Sequence, residues 1–171
     1  MGVTNLSDQI AYRRRLFGAS LALSGVGLLQ AASAAPATDA GLVTRRSAHG
    51  VADTIARFRA AVTGAGWVLF GEIDHAAAAD ALGMKLLPRT VVLFGNPKTG
   101  TPAMQGHPTL ALDLPMRVLV WQDDGGAVFV TRSTAEDLAT RVFARHGVDV
   151  AQAGQKATEA FLDGLVGAAI A

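Results

Sequence analysis

The residues best suited to chemistry lie in two short stretches. Asp74-His75 closes an apolar run, and an imidazole there, titrating near neutrality, can act as a general base, a ligand contact or a metal ligand. The same pair also fits a helix start, with Asp74 as the capping carboxylate. The second stretch is Phe94-Gly95-Asn96-Pro97-Lys98-Thr99-Gly100-Thr101-Pro102-Ala103-Met104. Glycines on both sides of Asn96-Pro97-Lys98 allow backbone N–H groups to converge on an anion, with Lys98 adding charge, although the same residues also make a structural turn clamped by Asn96. No Gly-Lys-Ser or Gly-Lys-Thr triplet follows, so a nucleotide P-loop is not supported. His75, Asn96, Lys98 and Met104 are therefore the candidate ligand-binding residues, expected to border one concave site because loops gather at the ends of a sheet.

Other constellations fall short. Met104 and His107, with His49 or His75, suggest a soft metal, but there is no paired histidine spacing and no cysteine, so no metal ligand is assigned. Ser47 and Ser133 lie outside any Gly-x-Ser-x-Gly context. Glu72 and Asp74 share one strand, whereas glycosidase carboxylates face each other across a cleft.

The elements that must position these residues follow from periodicity. Leu42 to Ala48 reads as an edge strand, and Val51, Ile55, Phe58 and Val62 form the apolar stripe of a helix ended by Gly64 and Gly66. Trp67 to Asp74 is a strand whose alternation places Trp67, Leu69 and Ile73 on one face. A short alanine-rich helix follows His75. Thr90 to Gly95 is continuously apolar, the pattern of a strand buried on both faces. Thr101-Pro102 reads as a cap and first helical residue, with helical pieces broken near His107-Pro108. Met116–Gln122 and Ala127–Arg132 flank Asp123-Asp124-Gly125-Gly126 as a hairpin. Ser133 with Glu136 has capping-box spacing and opens a helix stopped by Gly147. Asp149 then caps a last helix with Val150, Ala157, Phe161, Leu165 and Ala168 on one stripe, and Lys156, Glu159 and Asp163 opposite. Five strands, several helices and a hairpin indicate an α+β fold.

The N-terminus reads as an address. Arg13, Arg14 and Arg15 precede a 14-residue apolar run, Leu16 to Leu29, which is shorter than the ~20 residues of a membrane-spanning helix. Ala32-Ser33-Ala34 fits signal-peptidase cleavage, and Arg14-Arg15-Leu16-Phe17 resembles the twin-arginine export signal. The expected organisation is a signal peptide at 1–34, a flexible leader at 35–41, a domain at 42–147 and a helical extension at 148–171. A periplasmic or secreted location follows, with no stable membrane anchor after cleavage. Of 171 residues, half are hydrophobic and none is cysteine, which excludes disulfide scaffolds, thiolate metal sites and thiol nucleophiles. The net charge of +1 falls to −1 once the three arginines and Asp8 of residues 1–34 are removed, so nucleic acid is not an expected partner.

Ile73-Asp74-His75, the Phe94 to Met104 segment and Leu112-Asp113-Leu114-Pro115-Met116-Arg117-Val118-Leu119-Val120-Trp121, taken in order, resemble the DUF302 family over about residues 43 to 147. The resemblance implies a TBP-like α+β domain, with a curved antiparallel sheet of about five strands, helices on one face, and frequently a homodimer. It settles neither an activity nor a cofactor. Three functions stay open: a small-ligand binding or sensing domain, a His75-dependent enzyme that is metal-assisted in one version, and a dimeric interaction protein.

Overall fold

A computed structural model describes residues 41–171; the expected signal peptide and nearly all of the leader lie outside the described residues. Strands β1 (Leu42–Arg46), β2 (Val68–Asp74), β3 (Arg89–Gly95), β4 (Met116–Gln122) and β5 (Val128–Ser133) form one sheet of order β1-β5-β4-β3-β2, with every neighbouring pair antiparallel. Helices α1 (Val51–Gly64) and α5 (Gln152–Ile170) pack together and against the sheet, and the α+β architecture is the one expected. α2 (His75–Asp80) and α3 (Pro97–Gly106) follow β2 and β3. A 3₁₀ turn spans Pro108–Leu112, and α4 (Ala135–Asp137) runs on through a π segment, Leu138–Phe143, and a 3₁₀ turn, Ala144–His146.

Period-two alternation builds the core. Val92 and Phe94 of β3, Val118 and Val120 of β4, and Val128 and Val130 of β5 meet Phe58 and Val62 of α1. The Phe94 ring takes the edge-to-face position on Phe58, with centroids 5.2 Å apart. β3 is thus buried on its helix side, while Val91 and Leu93 on the other side are only half-buried, so the continuous apolar run does not make it a strand covered on both faces. That side, carrying Val91 and Leu93, is the more open face of the strand.

β2 departs from simple alternation. Its register to β3 shifts between Leu69 and Gly71, so Leu69 opposes Phe94 on the helix face and Ile73 opposes Val91 on the open face. The bulge separates two residues that alternation had put together, and it turns out Phe70.

α5 completes the core instead of trailing from it. Its buried residues are Leu162, Leu165, Val166, Ala169 and Ile170; Phe161 is half-buried against the core, and Ala168 is exposed. The buried stripe is rotated from the expected one because polar residues on its flank have an inward partner. Arg132 of β5, with its side chain 2% exposed, donates to Glu159 at 2.5 Å and to Asp163 at 2.6 Å. The other Glu159 oxygen accepts from the Ala135 N–H at 2.6 Å. Burial works against both charges in the Arg132–Glu159 pair, yet the mutual hydrogen bonds outweigh it, raising the Arg132 pKa and lowering that of Glu159. Arg132 Nε is left without a partner.

Helix starts differ from the expected ones by small steps. α3 begins five residues early, with Asn96 accepting from the Lys98 N–H at 3.0 Å and Pro97 in the first turn, so Pro102 lies inside the helix. Thr134 rather than Ser133 caps α4, accepting from the Asp137 N–H at 3.0 Å. α5 starts at Gln152 after Ala151, without a side-chain cap, so Asp149 does not serve as one.

Candidate functional site

A cavity of about 430 Å³ opens beneath α3. Its floor is Trp67, Phe70, Gly95 and Met116; α3 supplies Asn96, Thr99, Gly100, Thr101, Ala103 and Met104; Leu110, Leu114, Pro115, Phe143, Val148 and Val150 close the sides. The sheet end positions these groups. Trp67 is held by stacking on Phe161, with centroids 4.4 Å apart, and by the tilted Phe94 ring at 6.1 Å. Gly95 leaves space for the Phe70 ring, since a Cβ there would stand only 3.3 Å from it. No lining residue carries charge; the hydroxyls of Thr101 and Thr158 supply polar groups, while Thr99 Oγ1 donates to the Asn96 carbonyl at 3.2 Å.

Two of the four expected site residues, Asn96 and Met104, line this cavity. Lys98 is exposed and does not; its backbone N–H is the one that Asn96 caps. His75 is not part of the site. β2 and β3 run antiparallel, with Val68 opposite Gly95 and Asp74 opposite Thr90, so His75 and Asn96 lie at opposite ends of the sheet, about 20 Å apart at ~3.3 Å per residue. Loops following two successive antiparallel strands emerge at opposite ends, which is why a single concave site cannot collect both. Asp74 caps α2 by accepting from the Ala77 N–H at 3.0 Å, and His75 opens that helix, exposed.

A polar cluster that the sequence did not flag lies beside the cavity wall. Asp113 accepts from Arg145 Nε at 2.7 Å, with a second contact from the Arg145 terminal nitrogen, and from His146 Nε2 at 2.5 Å. Hydrogen bonds from Arg145 and His146 hold its carboxyl down at about 2. His146 Nδ1 stands 2.9 Å from Thr109 Oγ1, and the His146 carbonyl is bonded to His107 Nδ1 at 2.9 Å. Gly147, at φ 76°, ends the segment in the left-handed conformation. Asp113 and His146 are 33 residues apart and lack a motif spacing, so only the fold unites them. The remaining candidate metal ligands are dispersed: His49 Nε2 bonds the Ala171 carbonyl at 2.6 Å, and among the described residues no three His, Asp or Glu side chains are grouped to hold a metal ion.

A family model for "Domain of unknown function DUF302" matches residues 43–165. The chain belongs to the DUF302 family. The match runs well into α5, consistent with that helix completing the DUF302 core. A crystal structure of an uncharacterized conserved DUF302 protein from Bacillus stearothermophilus superposes with a TM-score of 0.58 over 76% of this chain and 95% of that chain, at 14% identity, a likeness of fold. Two curated relatives share 44% identity over 103 residues, 60% of this chain: the fluoride-specific ion channel FluC 1 of Brucella suis biovar 1, of which 41% is covered, and FluC 1 of Brucella abortus biovar 1, of which 38% is covered. This DUF302 chain thus spans about two fifths of the curated relatives it matches. None of its described helices is long and apolar enough to cross a membrane.

Proposed function

We propose that this DUF302 chain is an exported module that binds a small, uncharged and largely apolar molecule in the cavity beneath α3. The observation that carries the reading is the lining: about 430 Å³ enclosed by aromatic, aliphatic and methionine side chains with a few hydroxyls and no charge. Its size falls in the range of small-molecule sites, roughly 300–1,000 Å³, and a few convergent hydroxyls among apolar walls suit orientation of a neutral ligand. An anion would lose hydration there without gaining a cation, which removes Lys98 and phosphate from the reading. Export rests on the order of arginines, short apolar run and Ala32-Ser33-Ala34.

The test is solvent extraction of purified protein followed by mass spectrometry, beside an Ala103→Phe variant that fills the cavity. A compound present in the wild-type extract and depleted in the variant is the expected result. Extracts identical between wild type and variant, or a depleted compound that leaves Trp67 fluorescence unchanged when titrated into a Trp121→Phe background, refute the reading.

A second reading concerns the partner. Among the described residues, seven of the nine exposed large hydrophobic side chains, Val68, Phe70, Ile73, Leu82, Met84, Leu86 and Leu87, lie on the edge strand β2 and the connection to β3. An unpaired edge flanked by leucines suits a second copy of the chain, joined edge to edge about a two-fold axis. In the Brucella relatives the matched 103 residues would, on this reading, stand beside the channel part and not within it, as an accessory module.

A further inference from the structure

We propose that Thr109, His146 and Asp113 form a hydrolytic site for small esters, separate from the cavity beneath α3 and independent of the ligand reading. The three side chains make one line: Thr109 Oγ1 to His146 Nδ1 at 2.9 Å, and His146 Nε2 to Asp113 Oδ2 at 2.5 Å. An ionised Asp113 can only accept, so it fixes the neutral imidazole with its proton on Nε2 and leaves the Nδ1 lone pair facing the threonine hydroxyl. Arg145, bonded to the same carboxylate, keeps it charged and oriented and is a positioning residue. Exposure is graded as a nucleophile and its base require: Thr109 is open to solvent, whereas the His146 and Asp113 side chains behind it are 6% and 9% exposed. Thr109 and Leu112 stand three residues apart in a 3₁₀ turn, where such side chains eclipse, and Leu112 is 82% exposed. That leucine offers a landing surface for a short apolar acyl group beside the hydroxyl.

The chemistry closes on these groups and water. Thr109 Oγ1 attacks the ester carbonyl carbon while its proton passes to His146 Nδ1, and the imidazolium so formed faces the Asp113 carboxylate. The C–O bond to the alcohol breaks, and the leaving oxygen takes the proton from Nδ1. Water, giving a proton to Nδ1, then attacks the threonine ester; the carboxylic acid leaves and Thr109 recovers its hydrogen. The net change is ester plus water to acid plus alcohol.

The experiment treats the purified full chain with a fluorophosphonate, maps the adduct by peptide mass spectrometry, and follows p-nitrophenyl butyrate hydrolysis against pH. The adduct is expected on Thr109, with hydrolysis rising as an imidazole loses its proton. Thr109→Val, which removes only an exposed hydroxyl and leaves the fold intact, should lower the rate about 100-fold or more, while Thr109→Ser keeps it within about tenfold. A Thr109→Val rate equal to wild type, an adduct elsewhere, or no turnover above buffer overturns the assignment, and the α3 cavity reading survives each of those results.

Discussion

Removing Glu159 should cost the protein more than removing the arginine it partners. Glu159→Ala takes away two charge-assisted bonds, one to Arg132 and one to the Ala135 N–H, and leaves a buried guanidinium whose Nε already lacks a partner. Breaking a buried pair from one side costs about 3–5 kcal/mol. Glu159 is itself 34% exposed and Asp163 remains on the same nitrogen, so water and the second carboxylate return part of that, leaving about 2–3 kcal/mol. For a domain of this size that is roughly 6–15 °C in Tm. Arg132→Met removes the buried charge and its orphan nitrogen together, fills the space with an apolar chain, and frees two carboxylates that solvent can reach; its cost should stay near ~1 kcal/mol. Thermal unfolding by circular dichroism at pH 7 measures both. If Arg132→Met is the more damaging, or Glu159→Ala leaves Tm unchanged, the brace does not anchor α5 to β5 as described.

The Asp113 carboxyl, held at about 2 against an ordinary 3.8, adds stability that is fully present above pH 3.8 and lost as pH falls through 3.8 toward 2. The Tm gap between wild type and Asp113→Asn should therefore be wide at pH 5 and close by about pH 2; a gap independent of pH contradicts the shift. Leu82→Asp with Leu86→Asp should convert a dimer to a monomer in sedimentation without lowering Tm by more than a few degrees, and a wild type that sediments as a monomer removes the edge-to-edge partner. N-terminal sequencing of exported protein should read Ala35-Pro36-Ala37, and export unaffected by Arg14→Lys with Arg15→Lys excludes the twin-arginine route.

The hairpin, the α1 stripe and the strand positions were legible because each depends on neighbours in sequence: Asp123-Asp124-Gly125-Gly126 between apolar runs, and Val51, Ile55, Phe58 and Val62 at helical steps. The Phe94 to Met104 segment draws attention through its proline, asparagine and glycine, and Asn96 and Met104 line the cavity, but the turn read from those residues is the start of α3 at Pro97. What was hidden depends on partners distant in sequence. Arg132 looks like an exposed end of a strand until Glu159 and Asp163 arrive from α5, and those carboxylates look solvated until Arg132 does. Asp113 and His146 have no spacing to announce them, and His75 was grouped with Asn96 because local pattern does not reveal which end of a sheet a loop leaves from.

The register shift at Leu69 to Gly71 means that β2 carries one residue more than its ladder needs. Without the bulge, plain alternation through Phe70 would turn everything beyond it over: Glu72 and Asp74 would pass to the open face, and Ile73 would press into the helices. Losing Phe70 altogether would close the bulge and leave Gly71 opposite Leu93 and Ile73 opposite Val91, so the one residue the ladder can spare is the one that floors the cavity. Relatives that keep the cavity should therefore keep the extra residue, those without it can lose the bulge and hold the same sheet, and other insertions and deletions should collect in the exposed connection from Leu82 to Leu87.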